Sequence, residues 1–440
     1  MKLTNNRRQF ITTTLLTGTS ASILPTTSLG LSNQKLNIAL IGAHGRAKMH
    51  YHDLKTQNVT ALCDVNAHNL ALAKAEFPNA KTYEDWRDCL DHPGLDAIVC
   101  CTTDHTHAFI SIWAMNRGLH VFCEKPVAEC VHEARLVRQT YLKNRHRLAT
   151  QHGTQRHAHP NFDRLSEMIR NGAIGELKDV HTWGNRTHQI TGYPTANGTP
   201  PAHINYDLWL GPAPYHPYNP EYFSGAPGAN CLQWNVYHDF GSWQVGDMGS
   251  HTMDLAWNAL DADCPTQIAA KGDAYHPEVC PSTLSCRFDI PANDWRDAIR
   301  LTWNQGGPRP NSPSKAIDLQ SIGHGALFKG TEGIIVADFR NRFLIPMGDH
   351  ADLSRFTPPT PRPPIGGFMQ QWFTACKTNL KTDCDFDYAG KMIETLMLGL
   401  VAHRAGKTLN YNAQNGTITN HKEANAFLKK TYRNGWTLNG

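Results

Sequence analysis

Short apolar runs that alternate with helical segments between residues 36 and 152 constrain this chain more than any other feature. Residues 36–41 form an apolar strand that enters Gly42, Ala43, His44, Gly45, Arg46 and Ala47, and residues 48–54 carry a helical pattern. A second strand, 59–63, ends on Asp64, 22 residues past Gly42. The series continues with a strand at 95–101, a helix at 108–117 closed by Gly118, a strand at 119–123, a helix at 127–144 and a strand at 147–152. Such alternation predicts a parallel, doubly wound sheet, an α/β Rossmann dinucleotide-binding domain over residues 31–153. Backbone N–H groups at the glycine turn would hold a pyrophosphate. Asp64 would take the ribose hydroxyls and repel a 2′-phosphate, so the cofactor expected is NAD rather than NADP. Of the three glycine positions in this fingerprint only Gly42 is glycine. His44 stands second and Ala47 third, and Gly45 shifts the close approach along by one residue.

The strand at 119–123 ends on three residues of different chemistry. Glu124 brings a carboxylate, Lys125 an ammonium, and Pro126 fixes φ and removes a backbone donor, so the strand stops. Side chains at that point of an open α/β sheet face the crevice where ligands bind. A lysine is useful there, because burial shifts its pKa toward catalytic values. Taken alone, the triplet reads as a surface loop with an ion pair; the alternation around it makes it a candidate site.

With 440 residues, 40% hydrophobic and 18% charged, the chain should bury a large core and make two domains. A net charge of +4 without a Lys/Arg block excludes a nucleic-acid partner. Residues 1–30 read as a signal rather than as fold: Arg7 and Arg8 precede a weakly apolar run at 12–24, and a small-x-small cleavage site lies at 28–30. The run is too short and too rich in threonine to span a bilayer, so no stable membrane insertion is expected. A twin-arginine signal predicts export of an already folded protein to the periplasm. None of the 12 cysteines is spaced Cys-x-x-Cys, and Cys100, Cys101 and Cys123 sit in apolar runs, which favours buried thiols over disulfides. The pairs His105/His107 and His157/His159 lack an accompanying cysteine or carboxylate cluster, so no metal is expected.

Beyond residue 160 the pattern changes. A helix at 161–171 leads to strands at 177–183, 266–272, 283–289, 298–304, 326–330 and 333–339. Strands in series predict an α+β C-terminal domain over 154–440 with a large, mostly antiparallel open sheet. The stretch from Gly184 to Gly246 is rich in Pro, Gly, Asn and aromatics, including Tyr193, Tyr206, Trp209, Tyr215, Trp234 and Tyr237. Such faces suit the C–H faces of a sugar ring; equally, they could cover the sheet or a neighbouring subunit. Residues 357–364, with their prolines, read as an arm. Asp247 opens a helical pattern through Leu260, and a spacing of four puts Asp247 and His251 on one face, with Asp254 on the same side. A carboxylate so placed should raise the pKa of the imidazole and orient it.

The glycine turn with Asp64, the run 102–107 (Thr-Thr-Asp-His-Thr-His), Glu124-Lys125-Pro126 and the run 246–251 (Gly-Asp-Met-Gly-Ser-His) occur in an order and spacing that resemble the glucose–fructose oxidoreductase, inositol dehydrogenase and MocA family. The resemblance covers nearly everything after residue 30, and the run 432–436 (Tyr-Arg-Asn-Gly-Trp) looks like the ending of exported members. It implies that Lys125 lies beside the nicotinamide, in a bond to proline that is often cis, and that Thr102, His107 and Glu124 line the cofactor cleft with Gly42, Ala43, His44, Gly45, Arg46 and Asp64. Thr103 replaces the proline usual in that loop. By the same resemblance His251 is the acid/base, Asp247 its partner or a substrate ligand, and Lys125 completes the site, with Arg156 and Trp234 as further substrate contacts. The open sheet would carry substrate on one face and pack against another subunit on the other, implying a homodimer or homotetramer. The implied activity is NAD-dependent oxidation of a hydroxyl on a sugar, glycoside or polyol. An exported enzyme meets no supply of free NAD, so the cofactor should be tightly held and recycled in place. Two alternatives stand beside this: a redox-neutral, NAD-dependent glycoside hydrolase of the same fold, and a non-catalytic sugar-binding protein that has lost NAD, which His44 would permit.

Overall fold

Six parallel strands build the N-terminal half. In the computed structural model, which describes residues 34–225, 233–315, 317–346 and 367–439, they are β1 (Asn37–Ile41), β2 (Asn58–Cys63), β3 (Lys81–Tyr83), β4 (Ala97–Cys100), β5 (His120–Cys123) and β6 (Thr150–His152). The signal expected in 1–30 and the arm expected at 357–364 lie outside the described residues. All pairings are parallel, in the order β3-β2-β1-β4-β5-β6. Every residue of β4 is buried, as a strand covered by helices on both faces requires. Those helices are α1 (Tyr51–Leu54), α2 (Ala67–Glu76), α3 (Trp86–Leu90), α4 (Asp104–Asn116) and α5 (Val131–Asn144). Asn66 begins α2 by accepting the amides of His68 and Asn69, and Asp85 begins α3 by accepting that of Arg87.

The strand order reverses between β1 and β4, where an open α/β sheet forms its ligand crevice. Gly42 sits at that point with φ +74, and a Cβ there would lie 2.6 Å from the carbonyl carbon of Cys101. Gly45 also has a positive φ, +65, but a Cβ placed on it would meet nothing within 4 Å. The segment expected as a helix at 48–54 is a 3-10 turn over Gly45–His50 that runs into α1.

The second half contains α6 (Pro160–Arg170), β7 (Leu177–Gly184), α7 (Tyr206–Leu210), α8 (Trp243–Leu260), β8 (Gln267–Gly272), β9 (Leu284–Ile290), β10 (Ile299–Gln305), β11 (His324–Gly330), β12 (Gly333–Ala337) and β13 (Arg342–Pro346). It continues with α9 (Phe368–Thr378), α10 (Phe386–Ala405), β14 (Leu409–Asn412) and β15 (Thr417–Ile418). The strands form one sheet in the order β13-β12-β11-β7-β10-β9-β8-β14-β15. Its pairs are antiparallel except β7 with β10. On β9, Leu284, Cys286, Phe288 and Ile290 are buried and alternate with half-buried Ser285, Arg287 and Asp289, so one face of the sheet meets the core.

Two long helices connect that face to the first sheet. α8 packs on β7, β10 and β11, while α10 packs on β8, β9, α8 and the Rossmann helix α5. Asp385 begins α10 by accepting the amides of Asp387 and Tyr388, and Gly406 ends it in the left-handed region. One hydrophobic core therefore runs from β1 through α5 and α10 to β9. The chain end joins it: the Tyr432 hydroxyl donates to Glu133 at 2.8 Å, and the Trp436 ring lies 6.0 Å from that of Trp86. Every cysteine among the described residues is free, and all but Cys376 are buried.

Gly42 and Gly45 should therefore answer differently to alanine. Gly42→Ala forces β1 away from the loop after β4 and should lower the melting temperature sharply, whereas Gly45→Ala should cost only about 1 kcal/mol of backbone strain. Thermal unfolding of both variants checks this.

Candidate active site

Lys125 leaves β5 through a cis peptide bond to Pro126. The loop is held from below by His107, whose Nδ1 lies 2.7 Å from the Pro126 carbonyl oxygen and whose Nε2 lies 3.1 Å from that of Thr102. Both ring nitrogens are thus spent on backbone carbonyls. His107 ties the Thr102 loop to the Lys125 loop, at the cleft that the sequence resemblance gave it. Glu124 points the other way, accepting from Arg46 Nε at 2.9 Å and meeting His50 Nε2 at 2.7 Å. Burial opposes ionisation of this carboxyl, but the bonds from His50 and Arg46 win and hold it far below the usual carboxylate range. Glu124 and Arg46 therefore clamp the glycine turn to the end of β5.

The centre of the site is Asp247, fully buried in the second turn of α8. Its Oδ1 accepts from Lys125 Nζ and its Oδ2 from Arg186 Nη1. Against the burial that would raise its pKa, Lys125 and then Arg186 pull it down to about 2. One carboxylate thus serves two cations brought from two other parts of the chain.

His251 lies one turn further along α8 and is 4% exposed. Among the described residues no hydrogen bond joins it to Asp247, and its buried Nδ1 has no partner. Burial, Lys125 and Arg156 push its pKa well below 6.5, and the pull of Asp247 does not make up the difference. The sequence-based expectation of a raised pKa is overturned, because burial and the cations Lys125 and Arg156 outweigh the carboxylate four residues away. Asp254 does not join the group either. It accepts from Tyr388 at 2.7 Å and pairs with His157 Nδ1 at 2.9 Å, which anchors the short turn carrying Arg156.

Beyond His251 a cavity of about 540 Å³ opens between that turn and the C-terminal sheet. Arg156 lines it with its guanidinium 4.0 Å above the Phe339 ring, and the same ring meets the His251 imidazole edge-on at 6.3 Å. Trp234 is not among the residues lining this cavity. With Tyr206, Trp209, Tyr222, Tyr237 and Phe240 it forms a buried cluster of its own, packed against Tyr193. Most of the aromatic run thus covers itself; Tyr215 is its exposed member, at 70%.

Several site residues carry no local signal in the sequence. Arg186 follows β7 by two residues and reaches Asp247 across 61 positions, and His50 reaches Glu124 across 74. Gln244 leaves both amide atoms buried and unpartnered. Trp243 opens α8 at φ 47 with its indole N–H unpartnered. A non-glycine residue held there costs about 1–3 kcal/mol, a kind of strain that clusters at functional sites.

The residues at the crevice fit a dinucleotide. Only glycine fits at Gly42, the space beside Gly45 is open, and Asp64 ends β2 with a half-buried carboxylate that accepts the Asn66 amide at 2.9 Å. Burial pushes Asp64 up to about 6, so it is ionised at neutral pH. His44 projects its ring toward Tyr51, 3.5 Å from the hydroxyl, rather than across Gly45.

Two family models match: an oxidoreductase family with an NAD-binding Rossmann fold over residues 36–152, and its C-terminal alpha/beta domain over residues 182–294, together more than half of the chain. The chain belongs to the GFO_IDH_MocA oxidoreductase family. Its first domain is an NAD-binding Rossmann domain. An inositol 2-dehydrogenase/D-chiro-inositol 3-dehydrogenase of Lactiplantibacillus plantarum is 30% identical over 145 residues, 32% of this chain and 41% of that one. A glycosyl hydrolase family 109 protein of Stenotrophomonas maltophilia is 28% identical over 222 residues, 47% of each chain. The matched segments span less than half the length of either relative. The WlbA dehydrogenase of Bordetella pertussis, solved with NADH and UDP-GlcNAcA, shares the fold with TM-score 0.61 and 15% identity, covering 86% of this chain and 99% of its own. A levoglucosan dehydrogenase solved with NADH and levoglucosan gives TM-score 0.56 and 15% identity, covering 86% and 99%.

Asp247→Ala should leave the half-buried Lys125 and Arg186 without their shared anion and destabilise the protein by about 1–3 kcal/mol in urea unfolding. Because the folded pKa of Asp247 lies below its unfolded value of 3.8, its contribution is present above that value and is lost as the pH falls toward about 2. The stability gap between wild type and Asp247→Asn should close over that interval.

Proposed function

We propose that the protein is an NAD-dependent oxidoreductase acting on a hydroxyl of a sugar, glycoside or polyol. The observation that carries this reading is a neutral, buried His251 beside the Lys125–Asp247–Arg186 group, at the mouth of an NAD-binding crevice. NAD, when bound, supplies the acceptor for the hydride that leaves the carbinol carbon. His251, held neutral by its cationic neighbours, accepts the hydroxyl proton as the carbonyl forms. Lys125 donates to the same oxygen and limits the charge that develops on it, while Asp247 keeps the ammonium in place. Phe339, which meets both His251 and Arg156, gives the site an apolar wall. Inositol and levoglucosan dehydrogenases among the relatives and fold neighbours support a polyol or sugar as the substrate class.

Further parts of the reading rest on the sequence. The twin-arginine pattern in residues 1–30 supports export to the periplasm, where a cofactor loaded before export and recycled in place would be needed. The open antiparallel sheet supports a homodimer or homotetramer. A redox-neutral glycoside hydrolase is the second reading, favoured by the family 109 relative, whose match extends over 222 residues against 145 for the inositol dehydrogenase.

His251→Ala and Lys125→Ala should each lower turnover by roughly 10²–10⁴ with NAD still bound, as expected for a positioned proton acceptor and donor. Near-normal turnover in His251→Ala removes the proposed base. Protein purified without added nucleotide should carry about one NAD(H) per chain and turn over with none supplied. An active enzyme that emerges empty contradicts tight retention, and release of an aglycone instead of an oxidised sugar selects the hydrolase.

A further inference from the structure

The cavity beside His251 carries more positive charge than the protein neutralises. Lys125, Arg46, Arg156, Arg186 and Arg340 act on one another and on the same few acids. Each acid is already engaged. Glu124 is taken by Arg46 and His50, and Asp247 is shared between Lys125 and Arg186. Asp338, on the cavity wall, accepts the amides of Arg340 at 2.7 Å and Asn341 at 2.6 Å, and the Asn341 side chain at 3.0 Å. Arg156 is left over: among the described residues its guanidinium has no hydrogen bond and no ion pair, and it sits 4.0 Å over the Phe339 ring. The ring occupies one side of the guanidinium, whose N–H groups line the cavity and can take an oxyanion in two parallel bonds.

The surroundings respond to this charge. Burial and then Arg186 lower the pKa of Arg156 itself. His324 is held down to about 4 by burial and then by Arg186, and His159 is lowered by burial, Arg340 and Arg156. A half-buried guanidinium without a counter-charge is costly unless a ligand provides one. The pyrophosphate of NAD does not, since its place is the turn at Gly42–Gly45, whereas the cavity walls include Ser321, His324, Phe339 and Arg340 of the C-terminal half.

We propose that the substrate is a sugar bearing an anionic substituent, a carboxylate, sulfate or phosphate, whose oxygens pair with Arg156 and with Arg340 at the rim while its reacting hydroxyl meets His251. The role of that hydroxyl rests on the oxidoreductase reading; the anion site does not. Arg156 and His251 touch the same Phe339 ring, so one sugar residue can reach both.

Isothermal titration of the NAD-loaded full chain with glucuronate, glucose 6-sulfate, glucose 6-phosphate and glucose tests this. At least one charged sugar should bind ten or more times tighter than glucose, and the sugar that does so identifies the oxyanion. The advantage should shrink as salt is added, vanish in Arg156→Gln and partly return in Arg156→Lys. Glucose binding as tightly as all three, none of the three binding, or an advantage that survives Arg156→Gln overturns the proposal. Arg156-dependent binding without NADH formation refutes the dehydrogenase and leaves the anion site standing. Oxidation of glucose by a protein that binds no charged sugar more tightly than glucose does the reverse.

Discussion

The buried carboxylate of Asp247 is the constraint on which the site depends. It sits on α8, in the half of the molecule built around the antiparallel sheet, and accepts from Lys125 at the end of a Rossmann strand and from Arg186 just past β7. Three separately folded segments meet on one anion. Burying that many charges is expensive, and it is tolerable only because each cation finds the carboxylate at hydrogen-bonding distance. The geometry of Lys125 is therefore set by tertiary structure, with the cis peptide to Pro126 and the His107 brace beneath it supplying the local support.

The chemistry of the neighbouring residues follows from the same group of charges. Asp247 makes no hydrogen bond to His251, and its attraction is outweighed by burial and by Lys125 and Arg156. An imidazole in that position is a proton acceptor at neutral pH, whereas one paired to a free carboxylate would be a cation. Arg156 is left without an acid, and the turn that carries it is pinned by the His157–Asp254–Tyr388 bonds so that the guanidinium stays on Phe339. Stability, base strength and charge selectivity thus all trace to this one group of charges.

Much of the fold is legible in the sequence, because the period of apolar residues and the turn glycines are local properties. Residues 36–41 running into Gly42, and the charged triplet after Cys123, mark the parallel sheet and its crevice before any contact is known. The nine-stranded sheet is partly legible: β9 alternates cleanly, whereas β13 is largely exposed and shows no buried alternation, and β14 has only four residues. The site is half legible. Spacing along one helix puts Asp247 and His251 on a face, but it does not say which charge each will meet. Lys125, 122 residues away from Asp247, and Arg186, 61 away, decide that. The aromatic run shows the same limit. Trp209, Tyr222 and Tyr237 look like sugar platforms in sequence and prove to be one another's packing partners, because burying a ring against rings satisfies it without a ligand.

The most direct measurement is the NMR titration of His251 in the full, histidine-labelled chain, assigned by the loss of its signal in His251→Gln. With burial, Lys125 and Arg156 outweighing Asp247, the imidazole should titrate with a midpoint well below 6.5, and Lys125→Ala should move that midpoint upward. A midpoint at or above 6.5 that falls when Asp247 is replaced by Asn would show a carboxylate–imidazole pair instead, and would contradict the neutral base on which the proposed chemistry depends.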